Sequence, residues 1–166
     1  MTTLVSLTIL APLLAAAGAL AARRLPIARD VLTIIGLGVA AGSSMFMLNG
    51  VHHDGTHVVR VGDWDPELGI VLVADLFASL ALPVALSLIF IVELFAIGQR
   101  RTAWGANPEL AGPLLSVLAA GVSLAMLTGD LFTLFVAFEL ILVSSYVLLT
   151  HQGRRGQIQS LSLIHI

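Results

Sequence analysis

One carboxylate stands out because of where the sequence places it. Glu139 is the ninth residue of an apolar run from Leu131 to Thr150, so it falls close to the middle of that run. An ionisable side chain at the centre of a membrane-spanning helix costs about 2.5–3.5 kcal/mol on insertion scales, and such residues usually face a partner or a wet cavity. A hydrocarbon environment favours the neutral, protonated form of a carboxyl group. A glutamate in such a place would therefore be able to bind a proton and release it again. The position predicts a proton-binding site; a structural carboxyl bonded to a neighbouring helix is the alternative.

Two further polar residues share a helical stripe with this carboxylate. At about 100° per residue, Tyr146 and Thr150 fall on the same face as Glu139 and lead toward one end of the run. A line of such side chains is what the start of a proton pathway needs. We therefore predict that Tyr146 and Thr150 support Glu139.

Three other acidic residues lie near the ends of apolar runs. Asp75 and Glu93 are five helical turns apart in the third run, a rise of about 27 Å, so we expect both near membrane interfaces. Glu93 is the better candidate for a supporting pathway residue, although a structural role fits both equally well. Asp130 precedes the fifth run and is predicted to cap its helix, because aspartate is favoured there and its charge suits a helix N-terminus.

A short histidine-rich stretch is a weak candidate for a metal site. His52, His53 and His57 lie close together with Asp54, and imidazole and carboxylate groups are common metal ligands. The stretch belongs to a predicted outer loop in which nothing fixes the ligand geometry, and histidine tracts alone are weak indications. We expect neither a metal nor another cofactor.

The elements that carry these residues are predicted to cross a membrane. Of 166 residues, 58% are hydrophobic and 11% charged, whereas a soluble domain has about 45–50% apolar and about 25% charged residues. Each run is long enough for a helix that crosses a hydrocarbon core about 30 Å thick. The fold class is therefore all-α, a polytopic transmembrane bundle. The five predicted spans are residues 4–22, 31–48, 69–97, 110–127 and 131–150.

Arginine residues predict the orientation of the bundle. All eight basic residues are arginine, and alternate connections hold seven of them against one, Arg60. Basic loops stay on the cytoplasmic side. The amino terminus is therefore predicted outside and the region after the fifth span in the cytoplasm.

Small residues at four-residue spacing occur in two spans. The second contains Gly38 and Gly42, and the fourth contains Gly112, Ser116 and Ala120. Such spacing lets helix backbones approach closely in lipid. A composition rich in alanine and glycine also produces these spacings by chance, so both interpretations remain open.

The remaining segments are an outer loop and a short tail. The loop, residues 49–68, alternates weakly in polarity over Val58–Trp64, which is consistent with a short hairpin outside the membrane. Residues 1–160 form one membrane domain in this interpretation. The last six residues, 161–166, match what a widely used sequencing-library transposon end encodes, so we interpret them as a non-native tail; a natural short tail is the alternative.

Two segments resemble the antiporter-like membrane subunits shared by Mrp-type multisubunit Na⁺/H⁺ antiporters and respiratory complex I. The segment Gly129–Glu139, continuing to Ser144-Ser145-Tyr146, is most similar to the D-type subunit of the Mrp antiporters. Thr133 replaces the usual asparagine of that motif. The second segment, Trp64–Asp75, resembles the loop and entry to the family's third helix.

The resemblance implies the amino-terminal part of a subunit with about fourteen helices in a hetero-oligomeric complex of the bacterial plasma membrane. Its partners would be the other subunits, the lipid bilayer, H⁺ and Na⁺, with no nucleic acid. In that family the fifth-helix glutamate, matched here by Glu139, pairs with a lysine two helices later. This chain contains no lysine, so the relay would be incomplete in it.

Two alternatives remain. The first is a proton-pumping membrane subunit of an NADH–quinone oxidoreductase or a membrane hydrogenase, which would make the chain part of an enzyme. The second, from another class, is a membrane scaffold without transport, in which Glu139 ties helices together.

Overall fold

The computed structural model describes residues 1–63, 69–99 and 109–150, which form five α-helices and one β-hairpin. Helices α1, α2, α3 and α5 are long and apolar enough to cross a membrane, whereas α4, with 17 residues, is a shorter apolar helix. The predicted all-α class is confirmed. The helices are α1 Thr2–Ala21, α2 Pro26–Asp54, α3 Leu76–Gln99, α4 Ala111–Leu127 and α5 Leu131–Thr150, and the strands are β1 His57–Arg60 and β2 Val71–Ala74.

Helix α4 lies at the centre of the described bundle. It packs against α1 and α5 and also contacts α2 and α3, whereas α5 packs mainly against α4. Gly112, Ser116 and Ala120 are all buried on α4, so the small-residue stripe does lie in helix interfaces. The Ser116 hydroxyl donates to the Gly112 carbonyl oxygen at 3.0 Å, which satisfies it within its own helix.

The glycine at which α2 approaches α1 most closely was not predicted. A Cβ added at Gly36 would overlap the Cβ of Ala15 and lie 2.9 Å from the carbonyl oxygen of Ala11. At Gly38 the same atom would make only an ordinary 3.5 Å contact with Phe90, and at Gly42 it would meet nothing within 4 Å. The spacing of Gly38 and Gly42 therefore does not mark a close helix contact, and the close approach belongs to Gly36.

The hairpin corrects the predicted start of the third span. Residues 69–74 were assigned to a helix, but Val71–Ala74 is strand β2, which pairs antiparallel with β1 from His57↔Ala74 to Arg60↔Val71. Hydropathy explains the error, because it does not distinguish a short apolar strand from the end of a helix. The β-branched Val71 and Val73 favour the strand. The second span is also longer than predicted, since α2 continues to Asp54.

Three features of the fold lie at the same end of the bundle. The side chain of Met1 lies against Gly50, near the end of α2. The hairpin follows that end, and Leu72 forms a β-bridge with Thr128 in the α4–α5 connection. Successive helices therefore alternate in direction, as five crossings require.

The described arginines divide between the two ends of the bundle. Arg60 lies in the hairpin, whereas Arg23, Arg24 and Arg29 lie at the other end, between α1 and α2 or in the first turn of α2. Which end faces the cytoplasm remains a prediction from this distribution. The residues outside the described part of the chain are 64–68, 100–108 and 151–166. They include the beginning of the family-like segment Trp64–Asp75, the other four arginines and the proposed tail.

Candidate functional site

The amino end of α5 is fixed by Asp130. Its Oδ1 accepts a hydrogen bond from the backbone N–H of Thr133 at 2.7 Å, the geometry of a helix N-cap. Its Oδ2 accepts from the backbone N–H of Val71 in β2 at 3.3 Å. Partial desolvation raises the pKa of the Asp130 carboxyl, but the bonds donated by Thr133 and Val71 outweigh it and hold that pKa below its usual value.

The hairpin and the α4–α5 connection form one hydrogen-bonded unit. The backbone N–H of Gly129 donates to the carbonyl oxygen of Val71 at 2.7 Å, beside the Leu72–Thr128 bridge. A Cβ at Gly129 would lie only 2.9 Å from the Val73 side chain, so the backbone approach depends on glycine. The start of α5 is thus attached to the segment that begins α3.

One face of α5 packs against α4. Its buried residues are Thr133, Ala137 and Ser144. Opposite them, a Cβ added to Gly121 of α4 would lie 2.9 Å from the side chain of Ile141, so the helices meet there at close range. These small and hydroxyl residues fix the rotation of α5 about its axis.

Glu139 lies on the opposite face of α5. Counting about 100° per residue, it is about 120–160° around the helix from each of the three buried positions, and its side chain is exposed in the described bundle. Within the described residues its carboxylate makes no hydrogen bond or ion pair. The neighbouring exposed residues on this face are large and apolar: Phe132, Phe135, Leu142 and Val143. We call this surface, including Glu139 and Tyr146, the outer face of α5.

The structure places Tyr146 and Thr150 on the same face as Glu139. Tyr146 is exposed and lines an open apolar recess of about 290 Å³ with Leu142, Val143 and Val147. The hydroxyl of Thr150, however, donates to backbone carbonyl oxygens of its own helix, that of Tyr146 at 3.0 Å or that of Val147 at 3.2 Å. In this rotamer its hydrogen points along α5 and not toward Glu139.

Glu93 lies in the interior of the bundle and not at its surface. Its side chain is 0% exposed, as is that of Thr33 on α2. The Thr33 hydroxyl donates to Glu93 Oε1 at 3.0 Å, across 60 residues of sequence. Glu93 precedes the end of α3 at Gln99 by six residues, about 9 Å of helix rise. The structure thus brings Glu93 together with a residue that the sequence did not single out.

Asp75 has a different environment from Glu93. It is exposed and directly precedes α3, and its Oδ1 accepts a hydrogen bond from the backbone N–H of Ala78 at 2.7 Å. This geometry is that of a helix cap. The predicted separation of five helical turns between Asp75 and Glu93 does not apply, because α3 begins at Leu76 and Asp75 lies outside it.

The histidines are distributed over two elements. His52 and His53 end α2 with their rings in edge contact, 5.3 Å between centroids, and His57 lies on β1. Among the described residues, no three histidine, aspartate or glutamate side chains are grouped so that they could hold a metal ion.

Comparison with known proteins supplies the family. No protein-family model matches the chain. It is 39% identical over 116 residues to the D-type subunit of a Na⁺/H⁺ antiporter from Alkalihalophilus pseudofirmus, and 35% identical over 119 residues to the protein of the same name from Bacillus subtilis. Each match covers 70% of this chain. The chain belongs to the family of D-type antiporter subunits.

A further member of this family carries a different cation in its name. The D-type subunit of a probable K⁺/H⁺ antiporter from Rhizobium meliloti is 37% identical over 97 residues, which are 58% of this chain and 17% of that protein. The chain spans about a quarter of its curated relatives, 23% of the first two. The resemblance seen in the Glu139 segment is confirmed at the level of family.

Proposed function

We propose that this chain is part of a subunit of a multisubunit antiporter that exchanges a monovalent cation for protons, with Glu139 as its proton-binding carboxyl. Membership of the D-type family supports the antiporter over the oxidoreductase alternative, because the relatives above bear antiporter names. Na⁺ is the cation we propose, following the two relatives that match over the larger share of the chain.

The observation that carries the role of Glu139 is its position on the outer face of α5. A carboxylate halfway along an apolar helix costs about 2.5–3.5 kcal/mol unless it meets a partner or water. The surface around it is apolar and uncovered in the described bundle. We propose that a further part of the subunit covers this face and supplies the basic partner, the lysine that the family resemblance implies.

The setting of this site follows from the same reasoning. We propose a multi-pass protein of the bacterial plasma membrane, with the hairpin end outside and the Arg23–Arg29 end in the cytoplasm. Its partners are the other subunits of the antiporter complex and the surrounding lipid. Protons would reach Glu139 along the outer face of α5, past Tyr146.

Substitution of Glu139 tests the proposal. The experiment uses a full-length antiporter subunit of the D type that carries residues 1–150 of this chain, assembled with its partner subunits in everted membrane vesicles. Glu139→Gln keeps the size and polarity of the side chain but cannot bind and release a proton. We expect Na⁺-dependent proton movement, followed by the dequenching of a pH-sensitive dye, to be abolished.

The control is Glu109→Gln, the same chemical change at an exposed carboxyl before α4. We expect it to exchange as fast as the parent. Undiminished exchange in Glu139→Gln would remove this carboxyl from the mechanism. Loss of complex assembly in Glu139→Gln would instead support the scaffold alternative, and is checked by purifying the complex through a tag on another subunit.

A further inference from the structure

The described bundle contains a buried carboxyl that the proposed function does not use. Glu93 and Thr33 are both 0% exposed, and they meet where α3 packs against α2. A buried ionisable group is costly, so its hydrogen-bond environment indicates which protonation states the protein accommodates.

The Thr33 hydroxyl has two acceptors at equal distance. Its Oγ1 lies 3.0 Å from Glu93 Oε1 and 3.0 Å from the backbone carbonyl oxygen of Asp30. A hydroxyl has one hydrogen to donate and two lone pairs that accept. Thr33 therefore donates to only one of these oxygens at a time, and each choice fits a different protonation state of Glu93.

The two states follow directly from this geometry. When Glu93 is ionised, the Thr33 hydroxyl donates to its carboxylate. When Glu93 binds a proton, the new O–H donates to Thr33 Oγ1, and the hydroxyl hydrogen turns to the Asp30 carbonyl oxygen. One proton is taken up and no covalent bond between heavy atoms changes. The Thr33 hydroxyl takes part in one of these hydrogen bonds when Glu93 is ionised and in two when Glu93 is protonated, so each state keeps it bonded.

We propose that Glu93 is a second proton-binding carboxyl of this protein, and that the Thr33 hydroxyl reorients to hydrogen-bond it in both protonation states. Asp30 lies one turn nearer the amino end of α2, and its side chain is 20% exposed. Its carboxylate forms an ion pair with the buried Arg29 at 2.9 Å and would connect this end of the site to water. The role of Glu93 in transport rests on the proposed function, whereas its protonation does not.

Among the described residues, the helices packed against α3 carry few charged side chains at this end of the bundle. On α2 the charged residues at this end are Arg29 and Asp30. Helix α4 has no titratable side chain between Ala111 and Leu127, and the exposed Glu109 precedes it. Arg100 and Arg101, which follow α3, lie outside the described residues.

Infrared difference spectroscopy of the full chain in lipid vesicles tests the proposal. Spectra recorded between about pH 4 and about pH 10 show the C=O stretch of each carboxyl that gains or loses a proton. We expect one protonated-carboxyl band to be lost in Glu93→Gln and retained in Glu139→Gln. The two variants keep the tests separate, because failure of the transport role of Glu139 would leave the Glu93 band unchanged.

Thr33 variants show whether the hydroxyl bonds this carboxyl in its protonated state. Thr33→Val has nearly the same shape but no hydroxyl, and we expect the Glu93 band to move to higher frequency as its hydrogen bond is lost. Thr33→Ser keeps the hydroxyl and should leave the band in place. Because Glu93 is intact in both variants, they remain informative if Glu93→Gln does not fold.

Two results would overturn the proposal. One is a difference spectrum of folded Glu93→Gln identical to that of the parent, which would mean that Glu93 keeps one protonation state. The other is a Glu93 band unmoved in Thr33→Val, which would mean that the hydroxyl does not bond the protonated carboxyl. Circular dichroism confirms in each case that helical content is retained.

Discussion

Removal of the Asp130 side chain should destabilise the end of the bundle at which α5 begins. Asp130→Ala deletes two acceptors at once, one for the N–H of Thr133 at 2.7 Å and one for the N–H of Val71 at 3.3 Å. Loss of a helix cap costs about 1 kcal/mol. The half-buried Val71 donor, left without its acceptor, adds about 1 kcal/mol more. We expect a loss of about 2 kcal/mol in the free energy of unfolding, about 30-fold in the equilibrium constant.

Asparagine at this position separates the two contributions. Its single amide oxygen can still accept from Thr133, because asparagine caps as well as aspartate. Its NH₂ group cannot accept from Val71, so Asp130→Asn should lose about 1 kcal/mol. The assay is denaturant unfolding in detergent micelles, followed by the helical circular dichroism signal. Aspartate should be the most stable, asparagine intermediate and alanine the least stable.

The difference between aspartate and asparagine should also depend on pH. The pKa of Asp130 is lowered in the folded protein, so its stabilising effect is present above the unfolded pKa of about 3.9. The effect is lost as the pH falls through the lower folded value. At about pH 7 the parent should exceed Asp130→Asn in stability, and the gap should close in strong acid. An alanine variant as stable as the parent, or a gap that does not close in acid, would refute this reasoning.

Two further predictions concern helix packing and orientation. Gly121→Leu should cost about 1–3 kcal/mol of stability by overpacking against Ile141. The control Gly42→Ala adds a Cβ in open space and should stay within about 1 kcal/mol of the parent. Equal stability of the two variants would contradict the close α4–α5 contact. Because the chain has no cysteine, Thr3→Cys and Arg24→Cys can be labelled in intact cells with a membrane-impermeant maleimide. We expect labelling of the first only, and the reverse pattern would invert the orientation.

Much of the fold could be predicted because membrane helices are determined by local composition. The fifth span was predicted at residues 131–150, the bounds of α5. The segment from Val71 to Ala74 could not be assigned in this way, since its pairing partner β1 lies in a separate segment. Hydropathy measures burial in lipid or protein, and a short apolar strand outside the helices gives the same signal.

The candidate site was predictable only in part. The depth of Glu139 follows from counting residues along one run, but the face on which it lies depends on how α5 packs against α4. The contact between Thr33 and Glu93 joins residues 60 positions apart. A single sequence predicts neither the contact of the Thr33 hydroxyl with Glu93 nor the burial of Arg29, because both depend on the packing of α2 against its neighbours.

The attachment of α5 at Asp130 sets how far a small tilt of this helix would move Glu139. The helix is attached to the hairpin at Asp130 and held along one face by α4, while its outer face is uncovered in the described bundle. With a rise of about 1.5 Å per residue, its carboxyl end lies about 30 Å from that pivot and Glu139 about 13 Å. A tilt of about 5° would therefore move Glu139 by about 1 Å and the far end by about 2.6 Å. Because a displacement of about 1 Å is enough to make or break a hydrogen bond, the proposed partner on the outer face would have to hold the tilt of α5 to within about 5°.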